Sequence, residues 1–264
     1  MSETLEAVRS APRTVRYDKG RHLRAKIGFV LLAMEQTVED DVFKIAPPGV
    51  GIHFNRLQMS NTATVDTLKN MAPGIEASAS LILPDDELDV LCYTCNCGTM
   101  VIGEDRVAAA LKRGKPEAKP TTVMTGVVRA LKALDAKRIV VATPYLDEIN
   151  AHVLQFLKSH GFDVLDLQGL NISTNTDIDL VDPQYIREFA ASLDRPDADA
   201  VFVCCGALRA LDIVAELEAE GAKPAVVSNQ AMMWDCLRSA GIEDKIGGYG
   251  RLFKLSGRSV GLAA

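Results

Sequence analysis

Asp89-Val90-Leu91-Cys92-Tyr93-Thr94-Cys95 and, 110 residues further on, Asp199-Ala200-Val201-Phe202-Val203-Cys204-Cys205 share one pattern: an aspartate, an apolar run, and a cysteine six residues after the aspartate. The same offset sets Gly51-Ile52-His53-Phe54-Asn55-Arg56-Leu57-Gln58 beside Gly161-Phe162-Asp163-Val164-Leu165-Asp166-Leu167-Gln168. A nearly equal offset sets Lys26-Ile27-Gly28-Phe29 beside Arg138-Ile139-Val140-Val141. An offset sustained over three segments marks an internal duplication. Each half then carries one thiol at the same structural address, and a two-fold arrangement of the halves sets Cys95 and Cys205 face to face across a cleft. That geometry suits acid/base or nucleophilic catalysis by two cysteines.

Outward from these repeats, short apolar or β-branched runs alternate with helical stretches. The runs fall at 26–32, 50–57, 87–94 and 120–124, with helices near 36–45, 62–82, 98–112 and 126–135. The second half repeats this with runs at 138–143, 162–167, 199–204 and 224–227 and helices near 146–160, 184–194, 207–221 and 230–240. Strands this apolar, alternating with helices, predict parallel sheets covered on both faces. The expected fold class is α/β: two duplicated Rossmann-like (flavodoxin-like) α/β/α domains related by a pseudo-two-fold, with the active site between them. The expected divisions are an N-terminal extension (1–24), a first α/β domain (25–124), a connecting helix (125–135), a second α/β domain (136–240), and a C-terminal segment (241–264) packing back on the first domain.

With 264 residues, 48% of them hydrophobic, the chain is long enough for two cores of this size. Its net charge of −6, without a basic run interleaved with aromatics, argues against nucleic acid as a partner. No apolar stretch approaches the roughly 20 residues of a membrane span, and the first 25 residues lack the apolar centre of a signal peptide. The expectation is a soluble cytoplasmic protein with a small-molecule partner. Six cysteines in a chain of this size are expected to stay thiols. A zinc cluster is disfavoured, because such sites draw paired ligands from turns, whereas Cys92 lies inside an apolar β run. Cys92 and Cys95, three residues apart on a strand, would also point to opposite faces.

Gly98 and Thr99 follow Cys95, and Gly206 follows Cys205, each where a strand should hand over to a helix. Ligands bind at such junctions in open α/β sheets. Free N–H groups at a helix start suit a carboxylate and would lower the pKa of a thiol placed there. Cys92, Cys204 and Cys236 read instead as small buried hydrophobes. Cys97 is a reserve candidate for the cleft. His53, His152, His160, Trp234, Met232 and Met233 carry no expected catalytic role.

In Thr94-Cys95-Asn96-Cys97-Gly98-Thr99-Met100-Val101, Ala142-Thr143-Pro144-Tyr145 and Cys205-Gly206-Ala207-Leu208-Arg209-Ala210-Leu211, the chain resembles the aspartate/glutamate racemase superfamily. The resemblance spans about residues 25 to 255 and points to the branch of maleate cis-trans isomerase and arylmalonate decarboxylase. It implies that Cys95 and Cys205 face each other across the inter-domain cleft, that Tyr145 contacts a substrate carboxylate, that no cofactor is needed, and that the chain forms a homo-oligomer, a dimer or larger. Where maleate isomerases carry Pro-Ser-Ser-Asn, this chain reads Leu32-Ala33-Met34-Glu35. A glutamate there would repel a second carboxylate at close range. Leu32-Ala33, Glu35 and Ser228-Asn229-Gln230-Ala231 bring the chain nearest the ectoine-utilization protein A subgroup.

The function this implies is a cofactor-independent isomerase or racemase of a small carboxylate. Cys95 and Cys205 would serve as nucleophile and acid/base, and no metal would take part. Donors for the substrate would come from the backbone at Asn96 and Gly206 and from the side chains of Thr99, Tyr145 and Asn229, with Glu35, Cys97, Gly98 and Ala207 also in the binding site. An arylmalonate-type decarboxylase or C–C lyase, or a non-catalytic binding protein for an ectoine-like solute, are the alternatives.

Overall fold

Apolar side chains leave β1 (Ala25–Leu32) from both faces, and most of the strand is buried as a result. It pairs in parallel with β2 (Val50–Leu57) on one edge and β3 (Val90–Tyr93) on the other, and β4 (Lys119–Thr122) extends the sheet beyond β3. The second half repeats the plan with β5 (Arg138–Thr143), β6 (Asp163–Gly169), β7 (Ala200–Val203) and β8 (Ala225–Val227). Their order β6-β5-β7-β8 reproduces β2-β1-β3-β4, and every pairing is parallel. The α/β class and the duplicated parallel sheets expected from sequence are therefore present in this computed structural model. It describes residues 10–257, so residues 1–9 of the expected N-terminal extension and 258–264 of the expected C-terminal segment lie outside the described residues.

The repeated aspartates have a structural task. Asp89 Oδ2 accepts the backbone N–H of Lys26 at 2.7 Å, and Asp199 Oδ2 accepts that of Arg138 at 2.7 Å. Each carboxylate pins the start of its half's first strand to the strand that will end in a thiol. Six residues of extended chain then carry the backbone about 20 Å, from the pin at one edge of the sheet to the cysteine at the other. Gly28 is needed between β1 and the chain entering β3, since a Cβ there would come within 2.7 Å of Leu88 Cδ1.

Eleven helices cover the sheets among the described residues. They are α1 (Val38–Ile45), α2 (Val65–Lys69), α3 (Ala72–Ser80), α4 (Asn96–Ile102), α5 (Glu104–Gly114), α6 (Val123–Ala133), α7 (Asp147–Ser159), α8 (Asn175–Asp179), α9 (Pro183–Ser192), α10 (Val214–Gly221) and α11 (Ser228–Ser239). Three of the expected helices differ in the structure, and α8 falls where none was expected. The stretch 62–82 is split into α2 and α3, and it begins late because the Thr64 hydroxyl caps α2 through Thr67 N–H. The stretch 98–112 is divided at Gly103, whose φ of +98° ends α4. After Cys205, residues 206–210 stay irregular, and helix resumes with a 3₁₀ turn over Leu211–Ile213.

One helix crosses between the halves. α11 follows β8 in sequence, yet it packs against β3, β4, α1 and α6. All of its residues are buried. Asp235 accepts from Thr121 Oγ1 at 2.6 Å and from Arg129 at 2.9 Å, which replaces the hydration its carboxylate loses. The Arg238 guanidinium donates to the carbonyls of Ile242 and Leu255, and Asp244 pairs with Arg24, so residues 241–257 wrap α11 and reach the start of the first sheet. Among the described residues, no helix is long and apolar enough to cross a membrane.

Candidate active site

The strand order reverses between β1 and β3 and between β5 and β7, and in open α/β sheets the crevice outside such a point is where ligands bind. Cys95 stands two residues beyond β3, at the N-cap of α4, and Cys205 two residues beyond β7. Both thiols line one cavity, together with Glu35, Asn96, Cys97, Tyr145, Gly206 and Ala207. The pseudo-two-fold thus brings the repeated cysteines to a common space.

Each thiol sits in a cage of the same design. Cys95 Sγ accepts the N–H of Gly98 at 3.1 Å, with a further N–H from Cys97 and the Tyr93 hydroxyl close by. Cys205 Sγ faces the N–H groups of Ala207 and Leu208 and the hydroxyl of Tyr145. Two N–H groups and one phenol stand ready to stabilise a thiolate on either side. Burial nevertheless dominates: it pushes the Cys95 thiol up to about 11 and the Cys205 thiol up to about 12, against the donors, with Glu35 adding repulsion. The sequence expectation of thiols made acidic by helix starts is corrected here. Desolvation outweighs the N–H groups, and both cysteines rest as neutral thiols at pH 7.

A hydroxyl joins the two thiol segments. Asn96 Nδ2 donates to Ser228 Oγ at 2.9 Å, and the same oxygen accepts the N–H of Cys205 at 3.0 Å. Asn96 Oδ1 is buried without a partner. Tyr145 lies with its hydroxyl among Cys97, Cys204 and Cys205, lowering each thiol's pKa against the larger effect of burial. Its backbone is fixed by Thr143 Oγ1 and Asn150.

Three expected substrate contacts do not line the cavity. Thr99 is fully buried, and its hydroxyl donates to Cys95 O at 2.7 Å, closing the first turn of α4. Gly98 is spent on the Cys95 cage, where a Cβ would fall 2.3 Å from Tyr93 Oη. Asn229 stands behind the wall, donating to Gly206 O and Asp41 Oδ2, both at 2.8 Å. It shapes the Cys205 loop from outside.

Glu35 does face the cavity. Its Oε1 accepts three N–H groups, from Gln36 at 3.1 Å, Thr37 at 2.8 Å and Val38 at 3.0 Å, so the carboxylate covers the start of α1. Burial raises its pKa, which those three donors and Arg56 oppose.

Sequence reasoning missed Tyr93, quoted only as part of an apolar run, and two loops that roof the cavity. Residues 58–64 and 170–178 meet through an antiparallel bridge between Thr62 and Thr174. Asn61 fastens them, accepting from Thr176 N–H and donating to Thr176 Oγ1. A signal was present: Thr64 and Thr174, 110 residues apart, each cap a short helix. Cys92 and Cys236 meet each other in the core, off the cavity, and His160 pairs with Glu104 at 3.0 Å.

A family model described as arylmalonate decarboxylase matches residues 105–253. A maleate isomerase from Nocardia farcinica is 28% identical over 240 residues, covering 87% of this chain and 95% of its own length. An arylmalonate decarboxylase from Bordetella bronchiseptica is 34% identical over 139 residues, 50% of this chain and 57% of its own. Among solved structures, Nocardia farcinica maleate cis-trans isomerase, in a cysteine-to-serine variant with a covalently bound succinylcysteine intermediate, is similar with a TM-score of 0.80. Its identity is 26%, over 87% of this chain and 98% of that one.

Proposed function

Because the chain belongs to the arylmalonate decarboxylase family, matched over more than half its length, we propose that it is a cofactor-independent isomerase or racemase of a small carboxylate that works through Cys95 and Cys205. The observation that carries the reading is the pair of repeated thiols lining one cavity, each in a cage of two N–H groups and a tyrosine hydroxyl. One cysteine would suffice to protonate a single face of a carbanion. Two, on opposite sides, suit a reaction in which a proton or a bond is delivered from one side and removed from the other.

For a cis-alkene substrate, the Cys95 thiolate adds to one alkene carbon while the π pair moves to the other, which takes the proton of Cys205. Rotation follows about the new single bond. Cys205 then removes the proton, the carbon–sulfur bond breaks, and the trans-alkene leaves with the Cys95 thiolate restored. The succinylcysteine held by the Nocardia enzyme is the adduct such an addition produces, which supports the step for this chain. For a saturated substrate, one thiolate removes the proton α to the carboxylate and the other thiol returns one to the opposite face. In either route the protein's own thiol, at rest neutral, must ionise inside the cavity, and the N–H and phenol donors offset part of that cost.

Decarboxylation of an arylmalonate-like diacid is the second reading, favoured by the family match and by the 34% identical relative. Its discriminating product is carbon dioxide. Finer placement near the ectoine-utilization proteins rests on Leu32-Ala33, Glu35 and Ser228-Asn229-Gln230-Ala231, and a cytoplasmic homo-oligomer belongs to the same proposal. The test is a panel of small carboxylates in D₂O, followed by NMR for isomerisation and exchange, with Cys95→Ser and Cys205→Ser alongside. Loss of turnover in each variant supports the thiol pair. Retention of turnover in either, or unaltered binding with no turnover in the wild type, refutes it.

A further inference from the structure

Of the residues lining the cavity, Glu35 alone has a carboxyl group, and no lysine, arginine or histidine faces it among the described residues. Arg56, whose charge acts on Glu35, is committed elsewhere: it donates to the carbonyls of Leu32 and Glu35 and pairs with the Glu39 carboxylate at 2.5 Å. Glu35 itself has one oxygen occupied by three N–H groups, which favour its ionised form against the burial that raises its pKa. Among the described residues the other, Oε2, has no hydrogen-bond partner and is not one of the buried unpaired side-chain atoms, so it opens to the cavity. Behind it stand two more carboxyl groups, Asp41 and Asp179, each of which it repels electrostatically. A cavity with one free carboxylate oxygen and no cation among its lining residues is a poor host for a second and third negative charge.

We propose that Glu35 is the specificity-determining residue of the cavity, admitting substrates that carry a single carboxylate with a hydrogen-bond donor or a cation at the other end and turning away dicarboxylates. The inference rests on the thiol-pair reading of the same cavity and adds to it the class of substrate. Two like charges about 6 Å apart at an effective dielectric of about 20 disfavour one another by on the order of 100-fold. An N–H donor or ammonium in the same place meets Oε2 with a charge-assisted hydrogen bond instead.

The experiment compares a diacid with its own monoamide, so that shape is nearly constant and only the charge and donor character of one end change. Succinate and its monoamide, neither of which has a double bond to isomerise, are titrated calorimetrically into the full-length protein and into Glu35→Gln, whose amide oxygen keeps an acceptor for the N–H groups at the start of α1. The wild type is expected to bind the monoamide about 30-fold or more tightly than succinate, and Glu35→Gln to narrow the ratio to within about threefold, mainly by gaining affinity for succinate. Equal wild-type affinities, a preference for succinate, a ratio unchanged by Glu35→Gln, or no binding of either compound by the wild type overturns the proposal. Should Glu35→Gln fail to fold, the wild-type ratio decides alone. A monoamide that binds, while the monoamide of maleate is neither isomerised nor exchanged in D₂O, would refute the thiol-pair reaction and leave the selection by Glu35 standing.

Discussion

Replacing Asp41 by asparagine should stabilise the protein above pH 7 and leave it unchanged near pH 4. Asp41 sits on α1 at 3% exposure, with Oδ2 accepting from Asn229 Nδ2 at 2.8 Å and Lys44 no nearer than 3.9 Å. Burial pushes its pKa up to about 7, assisted by Asp212 and Glu35 and opposed by Asn229 and Lys44. In the unfolded chain the same group titrates near 3.9. A folded-state pKa above the unfolded one means that the native protein holds this proton more tightly. The benefit is complete below about pH 4 and is lost as pH rises through 7. Three pH units at about 1.4 kcal/mol each give a loss of about 4 kcal/mol. The substituted amide would stay neutral throughout and keep an acceptor for Asn229, so the Asp41→Asn variant should escape the loss. Urea unfolding under reducing conditions, followed by the fluorescence of Trp234, measures the free energy of both proteins at pH 4.5, 6 and 8. The stability difference should grow with pH toward about 4 kcal/mol. A difference that is constant with pH, or that favours the wild type at pH 8, would show that Asp41 is ionised and well compensated in the native state, and the reasoning from burial would fail.

Three further outcomes are expected. Iodoacetamide labelling of Cys95, read by mass spectrometry, should accelerate nearly tenfold per pH unit between pH 7 and 10, because burial pushes the thiol up to about 11; a plateau already reached at pH 8 would contradict this. Asn61→Ala removes two hydrogen bonds joining the roof loops and should speed labelling of the cavity thiols about tenfold at fixed pH, with an unchanged rate ruling out those loops as the gate. Gly98→Ala places a methyl group 2.3 Å from Tyr93 Oη, 3.0 Å from Met71 Cε and 3.1 Å from Cys95 Sγ, and should cost about 2 kcal/mol in urea unfolding; a cost below about 0.5 kcal/mol would mean that the Tyr93 hydroxyl is free to move away from Cys95.

The sheets were legible because their strands are covered on both faces, so that Ile27, Phe29, Val90, Leu91, Val140 and Phe202 appear as unbroken apolar runs. The duplication was legible because it preserves the aspartate pins as well as the thiols. Helix ends were less so: Gly103 interrupts a continuous amphipathic stretch through its backbone angle, and 206–210 stays irregular because its N–H groups turn toward Cys205 rather than into a helix. The ionisation of the thiols could not be read from sequence at all. A cysteine after a strand sees N–H donors that local sequence predicts, but its burial is set by distant segments, the roof loops among them, which local pattern does not place. The same holds for Asn229 and Thr99, whose polar side chains suggested substrate contact and which instead satisfy Gly206 O and Cys95 O.

What the duplication leaves unequal decides how a substrate must lie. Both halves supply an aspartate pin, a thiol, two N–H groups and a threonine-capped loop, and a cavity built only of these would treat the two ends of a ligand alike. The loops after the first strand of each half break that equivalence. The one following β1 delivers Glu35, and the one following β5 delivers Tyr145. A carboxylate oxygen on one side and a phenol donor on the other impose a direction: an anionic group is drawn to the Tyr145 side, where a hydroxyl can donate to it, and driven from the Glu35 side, where only an acceptor is offered. On the proposed reading, direction is what a thiol pair needs. The same carbon must meet Cys95 and Cys205 from opposite faces in every turnover, and a ligand free to bind end over end would present the wrong carbon half of the time. The residue that restricts the choice of substrate therefore also fixes its orientation, and loss of Glu35 should relax both together.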